Sequence, residues 1–195
     1  MMSNTLLESV VKKNRARLIP FMLALYVLAF LDRSNIGFAK ETYQLDTGLS
    51  NEAYALGAGI FFVVYAFLGV PANLLMRKFG ARRWIGCTTL LWGVLSAAMA
   101  WADTEAKFLL VRTLLGAAEA GFFPGMIYLT SQWFPQQNRA SIMGLFYMGA
   151  PLALTLGSPL SGALLEMHGF MGNPGWVWLF VIEGLLAGAA GAGAV

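Results

Sequence analysis

The chain has 195 residues, 58% of them apolar and only 12% charged, where a soluble domain carries about 25% charged residues. The net charge is +3, but the positive residues are scattered through short connecting segments, which argues against nucleic-acid binding. A single cysteine, Cys87, excludes an internal disulfide; it lies within an apolar run and reads as a small packing residue.

In chain order, a polar segment (1–17) precedes six predominantly apolar runs at about 18–38, 53–75, 85–102, 108–134, 142–165 and 176–195. Each matches the roughly 20 residues that cross a bilayer core as a helix. The expected fold is therefore an all-α membrane protein with six transmembrane helices embedded in the lipid bilayer. Nine basic residues fall on one side: Lys12, Lys13, Arg15 and Arg17, then Arg77, Lys78, Arg82 and Arg83, then Arg139. The other side carries Lys40 and Lys107 among Glu41, Asp46, Glu52, Asp103, Glu105 and Glu166. The positive-inside rule puts the first set, and with it both termini, in the cytoplasm. Trp84, Trp101, Trp133, Trp176 and Trp178 stand at predicted span ends, where amphipathic rings favour the interface, and Trp92 alone is central.

The first run meets two charges at Asp32 and Arg33, within AFLDRSN. From Leu18 to Leu31 a helix would extend about 21 Å, short of the roughly 30 Å hydrocarbon core. Continued to Phe38 it reaches about 31 Å. The helix is thus expected to carry Asp32 and Arg33 through the outer half of the membrane, the alternative being a short helix capped at the interface by DRSN. A cleaved signal peptide, with a basic start, an apolar stretch and GFA before Lys40, fits less well. The charge pair would precede the cleavage site, and loop charges alternate only if the first span is retained.

The fourth run, FLLVRTLLGAAEAGFFPGMIYLTSQWF, adds Arg112 and Glu119, seven residues apart on one helix face. Arg112 is expected at the depth of Asp32 and Arg33, with Glu119 nearer mid-membrane. Each such charge costs roughly 2.5–3.5 kcal/mol on insertion scales and normally faces a bundle interior or water-filled cavity in the company of opposite charges. A polar functional cavity is expected; structural ion pairs are the alternative. The sixth run holds Glu183. Gly and Pro recur in runs two, four and five, which suits close helix contacts and kinks.

These stretches resemble the major facilitator superfamily. NLLMRKFGARRW is similar to the cytoplasmic loop between its second and third helices, with Gly80, Arg82 and Arg83 matching and Asn73 and Arg77 replacing the usual Gly and Asp. Pro71 and Asn73 before the loop, with FLDRSNIGFA, RTLLGAAEAGFFPG and GWVWLFVIEGL, resemble the anion:cation symporter branch, and within it bacterial sugar-acid transporters of the rhamnonate type. The resemblance covers the chain to about Leu186, the tail AGAAGAGAV being unlike the usual continuation.

The resemblance implies proton-driven symport of a small carboxylate, with no cofactor and no metal, in the bacterial inner membrane. It implies Asp32 and Glu119 as proton-coupling residues. It implies Arg33, Arg112, Tyr65 and Asn35 as substrate-binding residues, and Asn73, Arg77, Gly80, Arg82 and Arg83 as a gating loop. Branch members that use a histidine in the second helix differ, since Ala58 stands there; the only histidine, His168, falls in an outer loop. Ser158–Pro159 in the fifth helix departs from the antiporter Gly-Pro pair and favours symport. By the same analogy Glu183, on an outer scaffold helix, is structural. The superfamily fold has twelve helices in two halves with substrate between them. The chain is thus expected to be an N-terminal half lacking its C-terminal six helices, partnered by that half or by a second copy. The alternative is a non-transporting or regulatory half-bundle. An intramembrane enzyme finds no support in any metal-binding or nucleophile motif.

Overall fold

The computed structural model describes residues 4–194, with side chains from Glu8 onward; residues 1–3 of the polar leader and Val195, the expected end of the sixth helix, lie outside the described residues. The helices are α1 (Asn4–Phe38), α2 (Lys40–Thr47), α3 (Asn51–Phe79), α4 (Ala81–Ala98), α5 (Glu105–Glu119), α6 (Phe122–Trp133), α7 (Gln136–Tyr147), α8 (Gly149–Leu165) and α9 (Gly175–Ala194). Among the described residues, six stretches are long and apolar enough to cross a membrane: α1 from Glu8, α3, α4 with its extension to Trp101, α5 with α6, α7 with α8, and α9.

The first helix runs unbroken past Asp32 and Arg33 to Phe38. It also begins far earlier than the expected 18, because the basic segment before it simply continues the helix beyond the apolar run. The connection after it is helical as well. Residues 40–47 form the short α2, which ends at Gly48 in left-handed conformation (φ 71°). Ser50 then caps α3 by accepting a hydrogen bond from the Ala53 N–H.

The fourth and fifth spans are each two helical segments. The breaks follow from proline chemistry, since a Pro ring clashes with the carbonyl four residues earlier. Four residues before Pro124 is Ala120, where α5 gives way to α6, and four before Pro151 is Tyr147, the last residue of α7. The expected gating loop is also mostly helix. Asn73 and Arg77 lie inside α3, Arg82 and Arg83 inside α4, and only Gly80 separates the two. Its φ of 87°, open to glycine, lets its N–H bond the Met76 carbonyl while its own carbonyl accepts from the Trp84 N–H, so one residue serves both helix ends.

Helix α9 packs along α4 as the most extensive helix pair, α3 against α5, and α1 against α8 and α9. The central core gathers Met22, Leu25, Tyr26, Phe61, Trp92, Leu115, Phe122 and Phe146. Tyr26 stacks on Phe146 at 4.2 Å and Trp92 meets Phe122 edge-on at 5.3 Å. A second cluster at the end of the bundle away from the α3–α4 junction surrounds Tyr43, whose hydroxyl donates to the Ala102 carbonyl, with Tyr54, Phe108 and Trp176. Cys87, expected to pack internally, faces outward from α4 and is exposed; the inner face of that turn is taken by Ile85, Gly86 and Thr89.

Candidate functional site

Helices α1 and α5 bring their charges together inside the bundle. The Arg33 Nε donates to Glu119 Oε2 at 2.9 Å, and its Nη2 stands 2.8 Å from the same oxygen. Glu119 is completely buried, whereas the Arg33 side chain keeps 17% exposure. The guanidinium lies over the Tyr65 ring at 4.6 Å and is flanked by Phe30 and Phe61 at 5.7 Å. A cation over aromatic faces exchanges part of its hydration for the ring quadrupoles. This enclosure comes from sequence spacing, since Phe30 precedes Arg33 by one turn of α1 and Phe61 precedes Tyr65 by one turn of α3.

Asp32 is buried beside this pair. One of its oxygens, Oδ1, accepts a hydrogen bond from the Ser96 hydroxyl of α4. Its other oxygen, Oδ2, and the Oε1 of Glu119 have no N–H or hydroxyl donor. The two carboxyl groups lie near enough for their charges to interact. A single proton between them would satisfy both acceptors, while two bare carboxylates side by side would repel.

Arg112 does not join the ion pair. Its Nε donates to the Gly57 carbonyl of α3 at 3.2 Å, and its guanidinium lies 4.5 Å from the centre of the Phe61 ring. Arg112 is near enough to Asp32 for their charges to interact, but its hydrogen bond goes to α3. The long Arg33 side chain reaches the deeper Glu119, and Arg112 turns to the α3 face. Small residues make this possible: Gly116 meets the Phe61 backbone so closely that an added Cβ would lie 2.5 Å from its carbonyl oxygen.

Tyr65, half-buried, lines a cavity of about 320 Å³ with Gly69, Asn73, Arg77, Ala120 and Pro124. The pocket runs along α3 from Tyr65 to Arg77, whose guanidinium lies 5.7 Å from the Tyr128 ring. Asn35 stands apart from it, fully buried and bonded to Glu183 of α9. Gly80 is the hinge between α3 and α4. Arg82 donates to the Ala194 carbonyl at 3.2 Å, and Arg83 is exposed. His168 is exposed at the opposite end of the bundle. Two contributors escape a reading of charges alone: Ser96, whose only signal is a hydroxyl in an otherwise apolar run, and the Gly57 carbonyl, which carries no side-chain signal at all.

Known proteins share this architecture. A bacterial homologue of the human lysosomal transporter Spinster, solved inward-facing and occupied, superposes with a TM-score of 0.85 at 20% identity over 92% of this chain and 43% of its own. The inner membrane transport protein RhmT of Escherichia coli K12 is 90% identical over 190 residues, 97% of this chain and 44% of the relative. A putative tartrate transporter of Agrobacterium vitis is 50% identical over 93% of this chain and 40% of its own length. The chain thus spans less than half the length of these curated relatives. Residues 22–195 match the Major Facilitator Superfamily. With six membrane-spanning stretches and this match, the chain is a multi-pass inner-membrane protein that belongs to the major facilitator superfamily.

Proposed function

We propose that the six helices form one half of a proton-coupled uptake transporter for a small organic anion, such as a sugar acid, with a second six-helix half supplying the opposite wall. The observation that carries this reading is the membrane-buried contact of Arg33 with Glu119 beside Asp32. Two carboxylates and two guanidinium groups balance when both acids are ionised. A proton gained by Glu119 removes the counter-charge of Arg33, and an incoming carboxylate restores it. Arg112 adds the second positive charge, and the Tyr65 hydroxyl, at the mouth of the cavity, offers a hydrogen bond to the substrate. Proton and anion then stabilise one another's binding, which is the thermodynamic requirement for symport. The names of the relatives, one a putative tartrate transporter, agree with a carboxylate substrate.

The test is pH-driven accumulation of sugar acids by proteoliposomes in which the chain is paired with the remaining half of the RhmT relative. Glu119→Gln is expected to abolish accumulation against a gradient while leaving exchange of bound anion. Unchanged accumulation would remove Glu119 from the coupling mechanism. Arg112→Ala is expected to weaken substrate affinity by at least tenfold, about 1.4 kcal/mol, and retained affinity would remove it from the anion site.

A further inference from the structure

Glu183 lies outside the charge cluster just described, yet the fold turns it inward. It is 3% exposed, on the face of α9 that meets α1. Its neighbour Gly184 sets this approach: a Cβ there would lie 2.6 Å from the Gly93 carbonyl oxygen, so α9 rides directly on the backbone of α4. Asn35, with no exposed surface, donates from Nδ2 to Glu183 Oε2 at 2.6 Å. Two atoms of this contact have no partner, Glu183 Oε1 and Asn35 Oδ1, and both are acceptors if the acid is ionised. A proton on Oε1 changes that. The carboxylic acid then donates to Oδ1 while Nδ2 donates to Oε2, the paired ring that an acid and a primary amide form, and both orphaned atoms are satisfied together.

No cation compensates an ionised Glu183 among the described residues. Arg33 is held by Glu119, and Arg112 by Gly57 and Phe61. From α2 come Tyr43 and Asp46, which bond Ala102 and Trp176. Helix α4 brings Ser96, already on Asp32, and α8 brings no ionisable group to this level, only the buried and unpartnered hydroxyl of Ser161. The ionisable group whose charge acts on Glu183 is Asp32, three residues before Asn35 on the same face of α1. Like charges at that separation disfavour simultaneous ionisation.

We propose that Glu183 is a second proton-holding carboxyl, locked to Asn35 when protonated and coupled through its charge to Asp32, so that the bundle carries protons at two separate places. The proposal rests on the reading of Asp32 and Glu119 as the first of these. A proton arriving at Asp32 eases the release of the one on Glu183, and the reverse, since each loses a like-charged neighbour. That reciprocity gives the outer end of α1 a store from which the first pair can be recharged.

Infrared difference spectroscopy of the full chain in lipid nanodiscs, titrated with pH, reads protonated buried carboxyls by their carbonyl stretch. Glu183→Gln is expected to remove one band that disappears as pH rises. Asp32→Asn is expected to move that band's midpoint to lower pH, because ionised Glu183 no longer faces a like charge. Asn35→Leu is expected to keep the band and shift its frequency, and it serves if Glu183→Gln fails to fold. A spectrum unchanged by Glu183→Gln at every pH would show an acid that is always ionised and overturn the proposal. A lost band insensitive to pH and to Asp32→Asn would show a purely structural acid and overturn it equally. Uptake measurements with Glu119→Gln judge the transport reading independently: that reading can fail while Glu183 titrates, and Glu183 can prove inert while transport persists.

Discussion

Arg33 sets two nitrogens on one oxygen of Glu119, and the other oxygen is left buried without a donor. With Glu119 fully buried, the pair is stable only while both partners remain. Removing one partner of a buried ion pair costs about 3–5 kcal/mol, while replacing both by apolar or neutral groups is often close to neutral. Arg33→Met is therefore expected to lower the melting temperature of the purified chain in detergent markedly, and Arg33→Met with Glu119→Gln to recover most of the loss. A double variant whose loss equals the sum of the losses of Arg33→Met and Glu119→Gln alone would show no coupling between the two sites. The members of this cluster were legible as charges in apolar runs, because charge is costly in lipid and therefore conspicuous. Their pairing was not legible. Helical spacing fixes which face a residue shares with its own neighbours, but the reach of an arginine side chain and the face it meets on another helix are set by packing. Asn35 shows the same limit, since its position on α1 says nothing of Glu183, 148 residues away.

At the scale of elements, hydropathy located the six spans, and their internal breaks followed from chemistry that hydropathy ignores. Pro124 and Pro151 each end a helical segment four residues earlier, whereas Pro20, Pro71 and Pro159 are carried within α1, α3 and α8. The sequence therefore marks where a break can fall, and neighbouring helices decide whether it does. The short α2 was hidden because its eight mostly polar residues bury only Tyr43 and leave Leu45 exposed, too little to create an apolar stripe. Small residues are equally position-dependent in α9. A methyl group at Gly184 meets backbone on both sides of the α4 contact, with Gly93 O at 2.6 Å, whereas at Gly188 it meets only the end of the Leu90 side chain at 3.9 Å. Backbone cannot yield as a side chain does. Gly184→Ala is expected to destabilise the bundle by about 1–3 kcal/mol through overpacking, and Gly188→Ala to melt within about 0.5 kcal/mol of the parent. Matched melting curves for the two variants would refute direct α4–α9 backbone contact.

At the scale of the whole molecule, the helices sort the connecting charges to opposite ends. The basic residues of the α3–α4 junction and Arg139 stand with the N-terminal turns of α1, where Asn14 reaches the Trp133 carbonyl at 3.5 Å. The acidic α2 stands with the start of α9, where the Trp176 ring nitrogen donates to Asp46 at 2.8 Å. Short loops rich in Lys and Arg are retained in the cytoplasm, whereas acidic residues contribute little to orientation. We therefore place the end bearing Arg77 and Arg139 inside and the end bearing Asp46 and His168 outside. In this orientation the cavity lined by Tyr65 and Arg77 would lie toward the cytoplasmic end and His168 toward the periplasm. Single cysteines in a Cys87→Ala background test it, at exposed positions on the two ends. In intact cells a membrane-impermeant maleimide is expected to label His168→Cys and to spare Gln137→Cys, with both labelled after lysis. The opposite pattern would invert the bundle and overturn the orientation read from the basic loops.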